Sequence, residues 1–179
     1  MPTILDAPFR AIPDLIRVQA AQRPRHTALV HEGRMLDYAG LDALMDRVAA
    51  SLQRDCLKVQ DTIAISAGTS IAYAAVFLGA LRAGIAVVPL ASSSTAESLA
   101  GMAADAGAKL LFLDAAASEA LAPVRGRIAA QCIALDGSTG AHTLASPFNV
   151  WLAAEGARPA AVSIRPEWAF NIIYSSGTT

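Results

Sequence analysis

Thr62-Ile63-Ala64-Ile65-Ser66, then Gly68-Thr69-Ser70, then Leu81-Arg82-Ala83-Gly84-Ile85-Ala86-Val87-Val88-Pro89-Leu90 is the stretch that decides the fold. Its first five residues are small, apolar or β-branched with no alternation, the pattern of a strand covered on both faces. Gly68-Thr69-Ser70 interrupts that run and starts a helix. Residues Ser70–Ala83 have helical composition, Gly84 suits the helix end, and Ala86–Pro89 is a second strand. No charged residue lies between Thr62 and Leu81, about the ~20 residues that cross a bilayer. The strand, loop and helix inside it, and its alanine, glycine and serine content, argue against a membrane span.

Outward from this unit the alternation continues. Upstream, Ile12–Arg23 is an amphipathic helix ended by Pro24, and Thr27–His31 with Met35–Leu36 is a strand pair turned by Glu32-Gly33-Arg34. Tyr38–Gln53 places Leu41, Leu44, Met45, Val48 and Leu52 at helical spacing, with Tyr38 expected to cap its start. Downstream, helix Ala96–Ala106, strand Lys109–Leu113, helix Ser118–Ala129 and strand Gln131–Leu135 follow in order. Ser92-Ser93-Ser94-Thr95 reads as an N-cap for its helix. Residues 136–167 change the rhythm with Gly137, Gly140, Pro147, Pro159 and Pro166, leaving a loop, a short helix around Phe148–Ala154 and a connector. A last strand is expected at Ala169–Tyr174. Strands separated by helices of this length make an α/β fold of alternating βαβ units with a mostly parallel sheet covered by helices.

Composition narrows the function. A chain of 179 residues with net charge −1 recruits neither nucleic acid nor an anionic membrane by bulk electrostatics. Cys56 and Cys132 are far apart, without metal-ligand spacing or a disulfide framework, which fits a cytoplasmic, reducing setting. Each is expected to be a small buried hydrophobe. His26, His31 and His142 are isolated, so no metal site is read, and Met1–Asp6 lacks the pattern of a signal peptide.

Chemistry concentrates at the C-terminal end. The apolar run Trp168-Ala169-Phe170-Asn171-Ile172-Ile173 leads into Tyr174-Ser175-Ser176-Gly177-Thr178-Thr179. Such a cluster alone also marks solvated loops. Backbone N–H groups and hydroxyls around a glycine can, however, converge on phosphate oxygens without a Cβ in the way.

Three segments together resemble the first three core motifs of the AMP-forming adenylate superfamily of acyl-CoA synthetases, adenylation domains and luciferases. They are Leu36-Asp37-Tyr38-Ala39-Gly40-Leu41, Leu81–Leu90 and Tyr174–Thr179. The resemblance runs from about Ile12 to Thr179 and implies that residues 1–179 are the N-terminal portion of an AMP-binding domain. It implies a parent that adenylates a carboxylic acid with ATP and Mg²⁺ and passes the acyl group to CoA. Ser175, Ser176, Gly177, Thr178 and Thr179 would form the first half of the phosphate loop. Within them Ser176, Thr178 and Thr179 would face the β- and γ-phosphates, and one threonine would approach Mg²⁺. Tyr174 would be a strand-end residue. The loop's expected Gly-x-Pro-Lys-Gly, the adenine motifs, the acidic magnesium ligand and the catalytic lysine are not found, so no residue here is assigned to catalysis and the segment alone is expected to be inactive. The start at residue 1, with a helix close behind, suits a single-function ligase and puts CoA ahead of a carrier protein as acceptor. A non-enzymatic nucleotide-binding α/β domain is the remaining alternative. An exposed apolar face, supporting a homodimer or another association, is also expected.

Overall fold

Successive side chains of a strand point to opposite faces, and along Thr62–Ser66 both faces are covered. Ile63 and Ile65 lie in one core cluster and Ala64 in another, all three at 0% exposure. The computed structural model describes residues 9–137 and 145–175. It begins with α1 (Ile12–Gln22), a hairpin of β1 (Thr27–His31) and β2 (Arg34–Asp37), and the long helix α2 (Tyr38–Arg54). Then come β3 (Thr62–Ser66), α3 (Ile71–Arg82), β4 (Ala86–Pro89), α4 (Ala96–Asp105), β5 (Leu110–Leu113) and α5 (Ala115–Leu121). A 3-10 segment Ala122–Arg127, β6 (Gln131–Ala134), β7 (Ala145–Pro147) and α6 (Phe148–Trp151) complete the order.

The second sheet has five parallel strands in the order β4-β3-β5-β6-β7. From β3 the chain moves one way to β4, then returns across β3 to reach β5. That reversal divides the helices. Val48, Leu52, Val76, Ala80 and Trp151 of α2, α3 and α6 share one cluster, while Leu99, Ala103 and Leu121 of α4 and α5 share the other. Helices on both faces of a parallel sheet are the α/β architecture the sequence pattern implies.

Several elements differ from the expectation. Asp37, not Tyr38, caps α2, its carboxylate accepting from the Gly40 N–H at 2.8 Å. The expected helix Ser118–Ala129 instead starts at the Asp114 cap and yields to the 3-10 segment, where Pro123 lacks an N–H and crowds the preceding turn. The expected helix around Phe148–Ala154 stops at Trp151, and β7, read from sequence as loop, is a three-residue strand too short to show a period. The strand Ala169–Tyr174 reduces to a single parallel bridge between Val87 and Asn171. Cys56 is exposed, in a left-handed turn after α2 (φ 63°), whereas Cys132 is buried as expected. Among the described residues no helix is long and apolar enough to cross a membrane.

Candidate functional site

The route by which the chain reaches Ser175 is set by α2. After Trp151 the backbone has no regular structure, so its polar groups need partners elsewhere. Arg47, Ser51 and Arg54 recur along one face of α2 and supply them. Arg47 Nε donates to the Ala153 carbonyl at 2.7 Å, Ser51 Oγ accepts from Ala153 N–H at 2.7 Å, and Arg54 donates to the Trp151 carbonyl at 2.9 Å. Gln53 then exchanges two bonds with the backbone of Ala160, at 3.0 and 2.7 Å. The helix thus carries the connector from one edge of the sheet toward the other.

A buried charge cluster lies under the same track. Asp46 Oδ1 accepts from Arg82 at 2.8 Å and from Arg17 at 3.4 Å, and its Oδ2 accepts from Arg158 of the connector. Arg82 also donates to Asp42, to the Asp42 carbonyl and to the Pro13 carbonyl. One arginine therefore ties α3 to α2 and to the start of α1.

Gly84 is where the connector crosses. It stands at φ +71°, and an added Cβ would lie 3.1 to 3.2 Å from side-chain atoms of Val162, Trp168 and Val59. Glycine is needed there both for the left-handed turn and for the approach of Trp168. Past this point Val87 N–H donates to the Phe170 carbonyl at 3.1 Å and Ile172 N–H to the Val87 carbonyl at 2.9 Å. Because the pairing is parallel to β4, Ile173, Tyr174 and Ser175 run toward the carboxyl edge of the sheet, the edge at which open α/β folds bind ligands.

Ile172 and Tyr174 pack on the α4 side, and Ser175 is exposed. The Tyr174 hydroxyl donates to Asp105 Oδ2 at 2.5 Å, with the Met102 carbonyl 3.2 Å away. The bond to Asp105, with burial and the Asp105 charge adding to it, holds the phenol pushed up to about 12, so it stays a donor across the neutral range. Ser176, Gly177, Thr178 and Thr179 lie outside the described residues. Of the loop residues expected from sequence, the structure therefore places Ser175 alone, at the carboxyl edge.

Other polar groups on this edge serve the backbone. Ser70 caps α3 by accepting from Tyr73 N–H at 3.0 Å, and Thr95 caps α4 through Ser98 N–H at 3.2 Å, as expected for the Ser92–Thr95 run. Asp114 accepts from Gly68 N–H at 2.7 Å and from Ala117 N–H at 2.8 Å, and Asp136 accepts from Ala115 N–H at 2.8 Å. Burial pushes the Cys132 thiol up, with Arg125 pulling the other way, which suits packing rather than nucleophilic attack. Among the described residues no three His, Cys, Asp or Glu side chains group to hold a metal ion. The sequence reading missed Asp105, Asp46 and Arg82. A carboxylate at the C-terminal end of α4, and an aspartate within the apolar stripe of α2, are the signals that point to them.

Comparison with known proteins fits this architecture. The model of the family described as AMP-binding enzyme matches residues 16–179. Malpinin synthetase of Mortierella alpina is 30% identical over 165 residues, 92% of this chain and 2% of that protein. Surfactin synthase subunit 2 of Bacillus subtilis (strain 168) is 28% identical over 179 residues, 100% of this chain and 4% of that protein. The chain thus spans only 2% and 4% of the length of these curated relatives. In fold it is similar to the anthranilate CoA ligase AuaEII in complex with anthranoyl-AMP, with a TM-score of 0.85 and 17% identity over 99% of this chain and 34% of that one. It is also similar to the Mycobacterium tuberculosis fatty acyl CoA synthetase, with a TM-score of 0.78 and 23% identity over 93% and 32%. With the family model matched over nearly its whole length, the chain belongs to the AMP-binding enzymes of the AMP-forming adenylate superfamily.

Proposed function

We propose that this chain is the N-terminal portion of the adenylation domain of an ATP-dependent, AMP-forming acid:thiol ligase. In its reaction a carboxylate oxygen attacks the α-phosphorus of ATP in line, giving acyl-AMP and pyrophosphate. A thiol sulfur then attacks the acyl carbonyl, and AMP leaves. Both first reactants are anions, so the phosphates have to be held by donors before attack. Ser175–Thr179 take that role, with hydroxyls and N–H groups of Ser176, Thr178 and Thr179 on the β- and γ-phosphates. Mg²⁺ bound with the ATP would neutralise part of the phosphate charge, with one threonine of the loop close to it.

The observation that carries this reading is the parallel hand-off from Val87 to Phe170 and Ile172, which directs Ser175 to the carboxyl edge. For the thiol, CoA is the first reading, as an acyl-CoA synthetase acting in the cytoplasm. A relative named dimodular nonribosomal peptide synthase, 29% identical over 65% of this chain, favours the second, a carrier-protein thiol. Residues 1–179 alone contain none of the groups assigned to catalysis and are inactive on this reading. Removing donors that stabilise developing charge costs roughly 10²–10³-fold each.

The test is acid-dependent ATP–pyrophosphate exchange by the complete enzyme, followed by thioester formation with CoA or with a carrier protein. Replacing Thr178 and Thr179 together by Ala should raise the KM for ATP and lower kcat while leaving the ranking of acids unchanged. Unchanged ATP kinetics or a shifted acid preference rejects the assignment of the loop.

A further inference from the structure

We propose that Tyr174 and Asp105 are a positioning pair that fixes where Ser175, the first residue of the proposed phosphate loop, stands at the carboxyl edge of the sheet. The inference rests on the reading of Ser175–Thr179 as that loop. Backbone pairing of the last segment reaches Ile172, whose N–H donates to Val87. Ile173 and Tyr174 follow before the loop begins, and each residue brings two soft backbone torsions. Two such residues leave the position of Ser175 open unless something beyond the ladder fixes it. The Tyr174 side chain does so. Its ring packs on the α4-side cluster and its hydroxyl donates to Asp105, a bond between residues 69 positions apart.

A purely local explanation accounts for neither partner. Asp105 is the last residue of α4, a helix with no basic residue in its final turn. A carboxylate there opposes the helix dipole, so α4 itself gives no reason for an acid at that position. The Tyr174 hydroxyl, for its part, is solvent-accessible enough to be satisfied by water, so burial does not demand the bond. What the bond does is pin the residue adjoining Ser175 to a helix fixed in the core by Leu99, Ala100 and Ala103. A hydrogen bond to an ionised acceptor is among the stronger tethers available to a side chain.

The experiment is steady-state kinetics of the complete enzyme carrying Tyr174→Phe, Asp105→Ala or both, with melting temperature recorded alongside. Tyr174→Phe keeps the ring packing and removes the donor. Each single variant should raise the KM for ATP about tenfold, the loss of one charge-assisted hydrogen bond, and leave the KM for the acid unchanged. The double variant should cost no more than either single one, the mark of a shared interaction. Asp105→Asn, which keeps an acceptor, should restore part of the loss. A drop in melting temperature or active fraction with an unchanged KM for ATP overturns the proposal, because a merely structural tie behaves that way; so do effects that add. Should Tyr174→Phe fail to fold, Asp105→Ala removes the same bond from the helix side and carries the test. If Thr178 and Thr179 replacements raise the KM for ATP and the pair variants do not, positioning alone is wrong. If the threonine replacements also leave ATP kinetics untouched, the loop reading falls and takes this inference with it.

Discussion

Arg82 of α3 and Asp46 of α2 form an ion pair at 2.8 Å with side chains only 4% and 2% exposed. Asp46 also accepts from Arg17 and Arg158, so three arginines surround one buried carboxylate, and these three contacts join α2 to α3, to α1 and to the connector. Removing one partner of a buried pair costs about 3–5 kcal/mol where the other charge is left unpaired, but Arg82 keeps Asp42 as a second carboxylate. Asp46→Ala should therefore lower unfolding free energy in urea by less than that, roughly 2–3 kcal/mol. Arg158 is 73% exposed and can return to water, so Arg158→Ala should cost under about 1 kcal/mol. Equal losses in the two variants would show that Asp46 is not held mainly by Arg82.

Two helical glycines should respond in opposite directions to the same change. At Gly79 an added Cβ would meet Val48 side-chain atoms at 2.6 Å and the Met45 carbonyl at 3.1 Å, where α3 crosses α2. Gly79→Ala should destabilise by about 1–3 kcal/mol through overpacking. Gly101 in α4 has nothing within 4 Å of the same position, so Gly101→Ala should stabilise by about 0.5–1 kcal/mol through helix propensity. Thermal unfolding of the two variants beside the parent decides it, and stabilisation by Gly79→Ala would contradict the packing described.

The Tyr174–Asp105 bond should show in an alkaline titration. The phenol must keep its proton to donate, and its pKa stands above the ordinary tyrosine value of 10.0, at about 12. A raised value means the bond contributes fully below pH 10.0 and is lost as pH climbs through about 12. Among the three tyrosines, Tyr73 is also raised by burial, so the Tyr174 signal is read as the difference from Tyr174→Phe. Phenolate absorbance should place Tyr174 near 12, and Asp105→Asn should bring it down toward 10. Titration of Tyr174 near 10 in the parent would remove the bond.

Exposed apolar side chains make self-association of the isolated chain the expected outcome. Val30 and Met35 face each other across the hairpin at 65% and 72% exposure. Phe9, Ile12 and Phe170 border an apolar cavity of about 220 Å³. Exposed apolar side chains grouped in this way mark interfaces. Light scattering against concentration should show assembly, with binding of a hydrophobic dye to the monomer. A monomer at every concentration that binds no dye rejects the idea.

The sequence by itself determined the α/β class, the core strands and most helix limits, because those depend on local composition and period. Thr62–Ser66, Ala86–Pro89, Ser70 and Thr95 are legible in that way, and the three motifs point to the family. Tertiary structure alone decided that Ala169–Tyr174 pairs through one bridge, that Cys56 lies outside, and that α5 stops before Pro123. It also decided what the middle motif is for. Gly84 is shaped for Trp168, and Arg82 for Asp42 and Asp46, so the turn at Leu81–Leu90 is built to receive a connector from far along the chain. Asp105 likewise finds Tyr174 across 69 positions. Such pairings carry no local period and no short-range spacing. They exist only once the reversal of strand order at β3 has brought α3, α4 and the last segment around the same two strands.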